Sequence, residues 1–374
     1  MNAARPTVVV LGSFLEREYF GLWQRQQEFT AQLCARANVL FVERAAAGRI
    51  TPARIVARLR RMASRSESDE WRPPVPVPAF VAWRQVPVGG DLAFASSARR
   101  AWRAVERAVA ERGWDAPSLV CVGTPGEVWA SLLEQVGLPF WYDMWERFLK
   151  SPAYDRVSRT SMTWLARHAA LVTADTEVSR DDWAGVRSDI LVVPHGAKEW
   201  AEAPRPDVSR EALYYVGSVN EALDTDLMGE IARSSGWPVR IVGSDAAGVL
   251  DSVEVLGWRP SGAIPRVLSD AVAGLVPYRM NDFTAGVYPT KVYDYLLAGA
   301  PVLAAPLPAL EGMPGVTVCR TADEYRAGAD AASRLTEADR AGLREWALGQ
   351  GWSTRFAMVA RELAARGVAP EVWQ

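Results

Sequence analysis

Residues 278–302 read YRMNDFTAGVYPTKVYDYLLAGAPV, and this stretch decides how the chain folds. An apolar run of strand length precedes it at residues 272–277, and a helical pattern over residues 290–299 closes on Gly299. Pro289 stands at the helix entrance, where a missing N–H costs nothing. Between strand and helix, Phe283, Thr284, Ala285 and Gly286 make a small-residue turn whose backbone N–H groups are expected to face a phosphate. The helix start at Thr290 and the charge of Lys291 lie behind that turn and add positive potential. Strand, turn and helix in this order predict a seat for a diphosphate. Asp294 follows one helical turn after Lys291 on the same face, where a carboxylate can accept hydrogen bonds from ribose hydroxyls. The alternative is an ordinary helix start ahead of a strand.

Outward from this stretch, short β-branched runs alternate with helical patterns, the signature of parallel α/β layers. Expected strands in the first half are residues 7–11, 38–42, 80–86, 119–122, 138–142, 171–173 and 190–193. A second series occupies 213–216, 239–242, 253–256, 272–277, 302–304 and 316–319. Two such series predict two doubly wound sheets, with ligand at the carboxyl ends of the strands. The boundary is expected in the loop 194–206.

The residues Pro289, Lys291, Asp294, Tyr295, Leu296, Ala298, Gly299, Pro301 and Val302 carry a family resemblance. Together they resemble the donor-site signature of GT-B glycosyltransferases of the GT4-like type. The resemblance implies a GT-B fold of two Rossmann-like domains facing an interdomain cleft. Residues 1–195 would bind the acceptor, joined by the C-terminal helix at about 353–374, and residues 196–352 would bind a nucleotide-sugar donor. It implies sugar transfer from a UDP, GDP or dTDP donor, used as co-substrate with no other cofactor, to a hydroxyl or amine of a small-molecule, glycan or lipid-linked acceptor. Retention of configuration and independence of metal are expected with it. Lys291 is then the catalytic cation.

The same resemblance assigns the loop at Gly217 and Ser218 to donor phosphates. It also assigns the loops VGSD (242–245) and LGWRP (256–260) to the nucleobase, with Gly243 close by and Trp258 either stacked on the base or packed in the core. Gly286 stands where many relatives have a further Glu, and Asn220, Glu221 and Asp224 stand near where they have an Arg and a Lys. The cationic load then falls on Lys291 with Arg25 or Arg279. These departures keep open two alternatives, a nucleotide-sugar epimerase and an inactive donor-binding partner of another enzyme.

In the first half, residues 22–29 read LWQRQQEF and open a helix running to about Ala37, similar to a Trp-Gln-Arg segment of some bacterial glycosyltransferases of this group. Arg25 is a candidate for donor phosphates or an anionic acceptor, or else an ordinary surface residue. Gly12 after the first strand suits close backbone approach to a ligand. Residues 138–148, LPFWYDMWERF, place Asp143, Glu146 and Arg147 directly after a strand. Asp143 is a candidate for acceptor binding or proton acceptance, or a helix cap. His195 in VVPHGAKEW touches a donor phosphate or shapes the turn there.

Composition narrows the function. Length (374 residues) suggests two domains, and a net charge of −2 gives no basic field for nucleic acid. No apolar run reaches membrane-spanning length, and residues 7–11 lack a signal-peptide pattern, so the expected compartment is cytoplasmic. Residues 51–65 set Ile55, Val56, Leu59 and Met62 against five arginines, as on a helix packed on its own domain or lying at the inner face of a membrane. Cys34, Cys121 and Cys319 lack metal-ligand spacing, and no metal site is expected.

Overall fold

The structure, a computed structural model, describes residues 5–20, 23–43, 72–83, 91–150, 155–243 and 252–373. The expected basic helix at 51–65, the end of the strand expected at 80–86, Leu22, and Ser244 and Asp245 of the VGSD loop lie outside them. The chain divides into two compact units. One comprises Met1–Asp175, Ser179–Val193 and Phe356–Gln374; the other comprises Thr176–Val178 and Pro194–Arg355.

The first unit is built on strands β1 (Thr7–Leu11), β2 (Asn38–Val42), β3 (Ala79–Val81), β4 (Pro117–Val122), β5 (Phe140–Met144), β6 (Leu171–Ala174) and β7 (Leu191–Val192). They pair in the order β3-β2-β1-β4-β5-β6-β7, every neighbour parallel. Val8 to Leu11 are buried throughout, as a strand covered on both faces requires. On one face the Asp91–Arg112 helix contributes Ala98, Ala101, Val105 and Ala108 to the core, a spacing that presents one helical stripe.

The second unit repeats the plan with β8 (Ala212–Val216), β9 (Val239–Val242), β10 (Glu254–Gly257), β11 (Ala271–Val276), β12 (Val302–Ala304) and β13 (Val316–Val318), ordered β10-β9-β8-β11-β12-β13. Its sheet is also parallel and has a core on each face. In both sheets the chain runs outward from the first strand to one edge, then returns beside that strand and runs to the other. The reversal lies between β1 and β4 in one unit and between β8 and β11 in the other. At such a point the loops leaving two adjacent strands diverge and open a crevice.

Most strands fall where the alternation predicts, and β5 is an instructive exception. It starts two residues later than expected and runs on through Asp143 to Met144. Pro139 has no N–H for the ladder, which delays the start. Asp143 remains in strand conformation because its carboxylate finds an internal partner. Trp352–Ala365 forms the expected last long helix, with Phe356, Val359 and Leu363 fully buried. Within the first unit, the Phe356 ring lies 6.3 Å from Phe29 and 6.1 Å from Trp373, and Arg366 donates to the Ala170 carbonyl.

Candidate functional site

The crevice of the second sheet is assembled from glycines and tyrosines. Gly217, Gly243 and Gly257 sit at the carboxyl ends of β8, β9 and β10, all at positive φ (128°, 150° and 76°). Gly217 N–H donates to the Val242 carbonyl and Gly243 N–H to the Gly257 carbonyl. A Cβ on Gly243 would lie 2.2 Å from the Gly217 oxygen, so this stack of turns admits no side chain there. Across the reversal, Tyr295 of the Lys291–Leu297 helix fastens the two central strands. Its hydroxyl accepts from Val216 N–H at 2.9 Å and donates to the Leu275 carbonyl at 3.1 Å. Its ring lies on Gly274, where a Cβ would approach to 2.1 Å.

This anchoring holds the helix so that Lys291 points into the crevice. Its ammonium lies 3.9 Å from the Tyr215 ring centroid and 5.2 Å from that of Tyr278. It also sits 3.0 Å from where Gly217 would carry a Cβ. Desolvation pulls the ammonium's pKa down, but the oxygens of Tyr278, Tyr215 and Tyr295 outweigh it and hold Lys291 above its ordinary value. Among the described residues no carboxylate forms an ion pair with it. Asp294, one turn on, is buried, and its Oδ1 accepts from Lys198 Nζ at 2.9 Å. Burial raises the Asp294 pKa, and Lys198 works against that rise.

Several expected contacts are placed otherwise. The amides of Phe283, Thr284, Ala285 and Gly286 do not form an anion cradle. Those of Phe283 and Thr284 donate to Asn281 Oδ1, that of Ala285 to the Asn281 carbonyl, and that of Gly286 to the Phe283 carbonyl. Asn281 therefore closes the turn on itself, and Thr284–Gly286 becomes a 3₁₀ turn. Asp294, expected to be open to ribose, already carries Lys198. Arg279 is exposed and lies over Asp226 at 3.6 Å and Thr225 at 3.3 Å, at the start of the Thr225–Ser234 helix. Ser218 and Thr290 are exposed beside the crevice, and Trp258 is half-buried just beyond β10. His195 is buried against Tyr288 and edge-on to Trp352, with its carbonyl accepting from Arg355.

In the first unit Arg25 and Asp143 are corrected together. Each was a candidate for ligand; the structure pairs them, 2% and 5% exposed. Arg25 Nε and Nη2 each donate to Asp143 at 2.8 Å, Nη1 donates to the Val193 carbonyl, and Thr173 Oγ1 donates to Asp143 Oδ1 at 2.6 Å. Two buried charges this far from water must satisfy each other, which leaves neither for a substrate. Gly12 is likewise explained by packing, since a Cβ there would strike the Phe41 ring at 2.1 Å. A few residues on from Asp143, burial and then the neighbouring Asp175 push the Glu146 carboxyl up to about 7.

Lys198, Tyr215, Tyr278 and Asn281 had no role in the sequence reading. One signal was present for Lys198. Only three of the 42 basic residues are lysines, Lys150, Lys198 and Lys291; Lys291 opens this helix and Lys198 pairs with its Asp294. A compact ammonium on a flexible stem suits a crowded crevice better than a guanidinium fork. Among the described residues no group of three metal-ligating side chains gathers, and no helix is long and apolar enough to cross a membrane.

No protein-family model matches the chain, and no curated protein matches it in sequence. Solved structures match it in shape. Anabaena Alr3699/HepE in complex with UDP and glucose superimposes with a TM-score of 0.64 at 15% identity, covering 96% of this chain and 100% of that one. A putative UDP-N-acetylglucosamine 2-epimerase from Listeria monocytogenes gives 0.54 at 9% identity, covering 97% and 96%. Phytolacca americana UGT2 complexed with UDP-2fluoro-glucose and pterostilbene gives 0.52 at 15% identity, covering 96% and 100%. At such identities the likeness establishes the fold, two Rossmann-like parallel sheets of the GT-B type.

Proposed function

We propose that this chain is a glycosyltransferase that takes a sugar from a nucleoside-diphosphate donor bound at the carboxyl edge of the second sheet. The observation that carries the reading is Lys291: an ammonium at the strand-order reversal, beside a side-chain-free glycine turn, with no described carboxylate pairing with it. That is the charge a departing diphosphate needs. With the 283–286 amides closed on themselves, the proposed diphosphate contacts are Lys291, exposed Thr290 and the turn at Gly217 and Ser218. Trp258 and the Gly243 turn border the base, while Asp294 stays buried and paired with Lys198. UDP is the favoured donor nucleotide because the fold neighbours above bind UDP or UDP-sugars, or are named for one.

The reaction proposed is transfer with retention and without metal. The bond from the anomeric carbon to the diphosphate oxygen breaks as the acceptor oxygen or nitrogen bonds the same face. The acceptor's proton passes to the leaving phosphate oxygen. The acceptor is assigned to the first unit, and Asp143, held by Arg25, supports that unit's structure instead of accepting a proton.

Titration calorimetry with UDP, GDP and dTDP tests the donor site, and binding of none of them would end this reading. NMR of the product made with chelator present tests the rest, since an inverted anomer would demand a dedicated base. Conversion of a nucleotide sugar without any acceptor would favour the epimerase. Tight binding with no turnover would favour the inactive partner.

A further inference from the structure

We infer that Tyr215 and Tyr278 are positioning residues for Lys291: their two aromatic faces hold the ammonium at the crevice and leave its charge available to a diphosphate. The inference rests on the donor-site reading and deepens it. A lysine confined near a protein interior is ordinarily fixed by a carboxylate, which would cancel the field an incoming anion requires. Here the confinement comes from ring quadrupoles at 3.9 and 5.2 Å, which attract a cation without neutralising it.

Three further features belong to the same device. Tyr215 is itself fixed, a buried β8 residue whose hydroxyl donates to the Ser218 carbonyl. Gly217 at φ 128° leaves the volume that the ammonium occupies. The acidic side chain one turn along the helix, Asp294, forms its ion pair with Lys198 and not with Lys291. Lys291 is thereby placed before any ligand arrives, and little of its side-chain freedom remains to be lost on binding.

The test is calorimetric titration of the full chain with UDP, comparing wild type with Tyr278→Phe, Tyr278→Leu, Tyr215→Phe, Lys291→Met and the double variant Tyr278→Leu/Lys291→Met. Tyr278 is half-buried and packs against the margin of both cores of its sheet, so thermal unfolding checks that each variant folds. Tyr278→Phe keeps the aromatic face and is expected to bind within about twofold of wild type, whereas Tyr215→Phe, which loses the tie to the Ser218 carbonyl, is expected to bind more weakly. Tyr278→Leu is expected to weaken binding about fivefold or more, in line with the strength of a desolvated cation–π contact. In the Lys291→Met background the leucine is expected to add less than about twofold, because its effect passes through the ammonium.

Should Tyr278→Leu fail to fold, Tyr278→Trp replaces it and is expected to bind at least as tightly as wild type. Unchanged binding in Tyr278→Leu overturns the inference, as does an equal loss in Tyr278→Phe or a leucine effect that persists without Lys291. Weaker binding in Tyr278→Trp, where that variant is used, overturns it too. Those results leave the donor site standing. Failure of wild type to bind UDP, GDP or dTDP overturns the donor-site reading, and this inference falls with it.

Discussion

At the scale of single residues, what decides a role is whether a charge already has a partner. Lys291 has aromatic faces and no described counter-ion, so Lys291→Ala is expected to slow release of nucleoside diphosphate from the donor at least about a hundredfold, with thermal unfolding unchanged within a few degrees. Arg25 and Asp143 are the opposite case. Arg25→Met strands a carboxylate that is 5% exposed and is expected to destabilise the first unit by about 3–5 kcal/mol in urea unfolding. Arg25→Met combined with Asp143→Leu is expected to recover most of that loss. Recovery without restored acceptor use would instead give the pair a place in recognition.

Glu146 carries the pH dependence at this scale. Its folded pKa near 7 stands above its ordinary 4.5, so the folded chain keeps a proton that the unfolded chain releases in that window. Wild type should therefore lose stability relative to Glu146→Gln as pH rises from about 4.5 to about 7, with no further change beyond. The total is of the order of 1–3 kcal/mol. Denaturant melts of both proteins at pH 4, 5.5 and 8 check it; parallel curves would show that Glu146 titrates normally.

At the scale of elements, the crevice is made by strand ends that come closer than side chains allow. Gly243→Ala brings a Cβ to 2.2 Å from the Gly217 oxygen at a φ of 150°, so the turn after β8 must move. The expected cost is about 1–3 kcal/mol of stability, together with a weaker affinity for UDP in the same titration that tests the donor site. An alanine variant with wild-type stability and affinity would show that the two turns are free to separate. The Lys291–Leu297 helix is short, and its position depends on Tyr295 bridging β8 and β11 more than on its own seven residues.

At the scale of the whole molecule, the proposed donor site belongs to one unit: Lys198, Gly217, Gly243, Tyr278 and Lys291 all lie within Pro194–Arg355. Hydrogen exchange with and without saturating UDP is expected to show new protection in the turns after β8 and β9 and at the start of the Lys291–Leu297 helix. The seven strands described in the first unit should be unchanged at their centres. Protection centred on the first sheet would move the nucleotide to the other unit.

Much of this was legible in the chain. Alternation of apolar strands and helices gave both parallel sheets, because a strand covered on two faces must be apolar along its length, and Val8–Leu11 and Ala271–Val276 are. The glycines after β8 and β9 and the lysine at the helix start were equally visible, since each is a local requirement of backbone or charge. The pairings were not visible. Arg25 and Asp143 are 118 residues apart, Lys198 and Asp294 are 96, and no periodicity links residues at such separations. The partners of the Phe283–Gly286 amides were not visible either, because whether they face an anion or Asn281 depends on how that loop closes in space. Sequence pattern set the layers, the crevice and its cation, since these follow from local geometry and burial. Which charges remain available for chemistry was decided only by the folded chain, where each buried ion takes the partner that packing brings within reach.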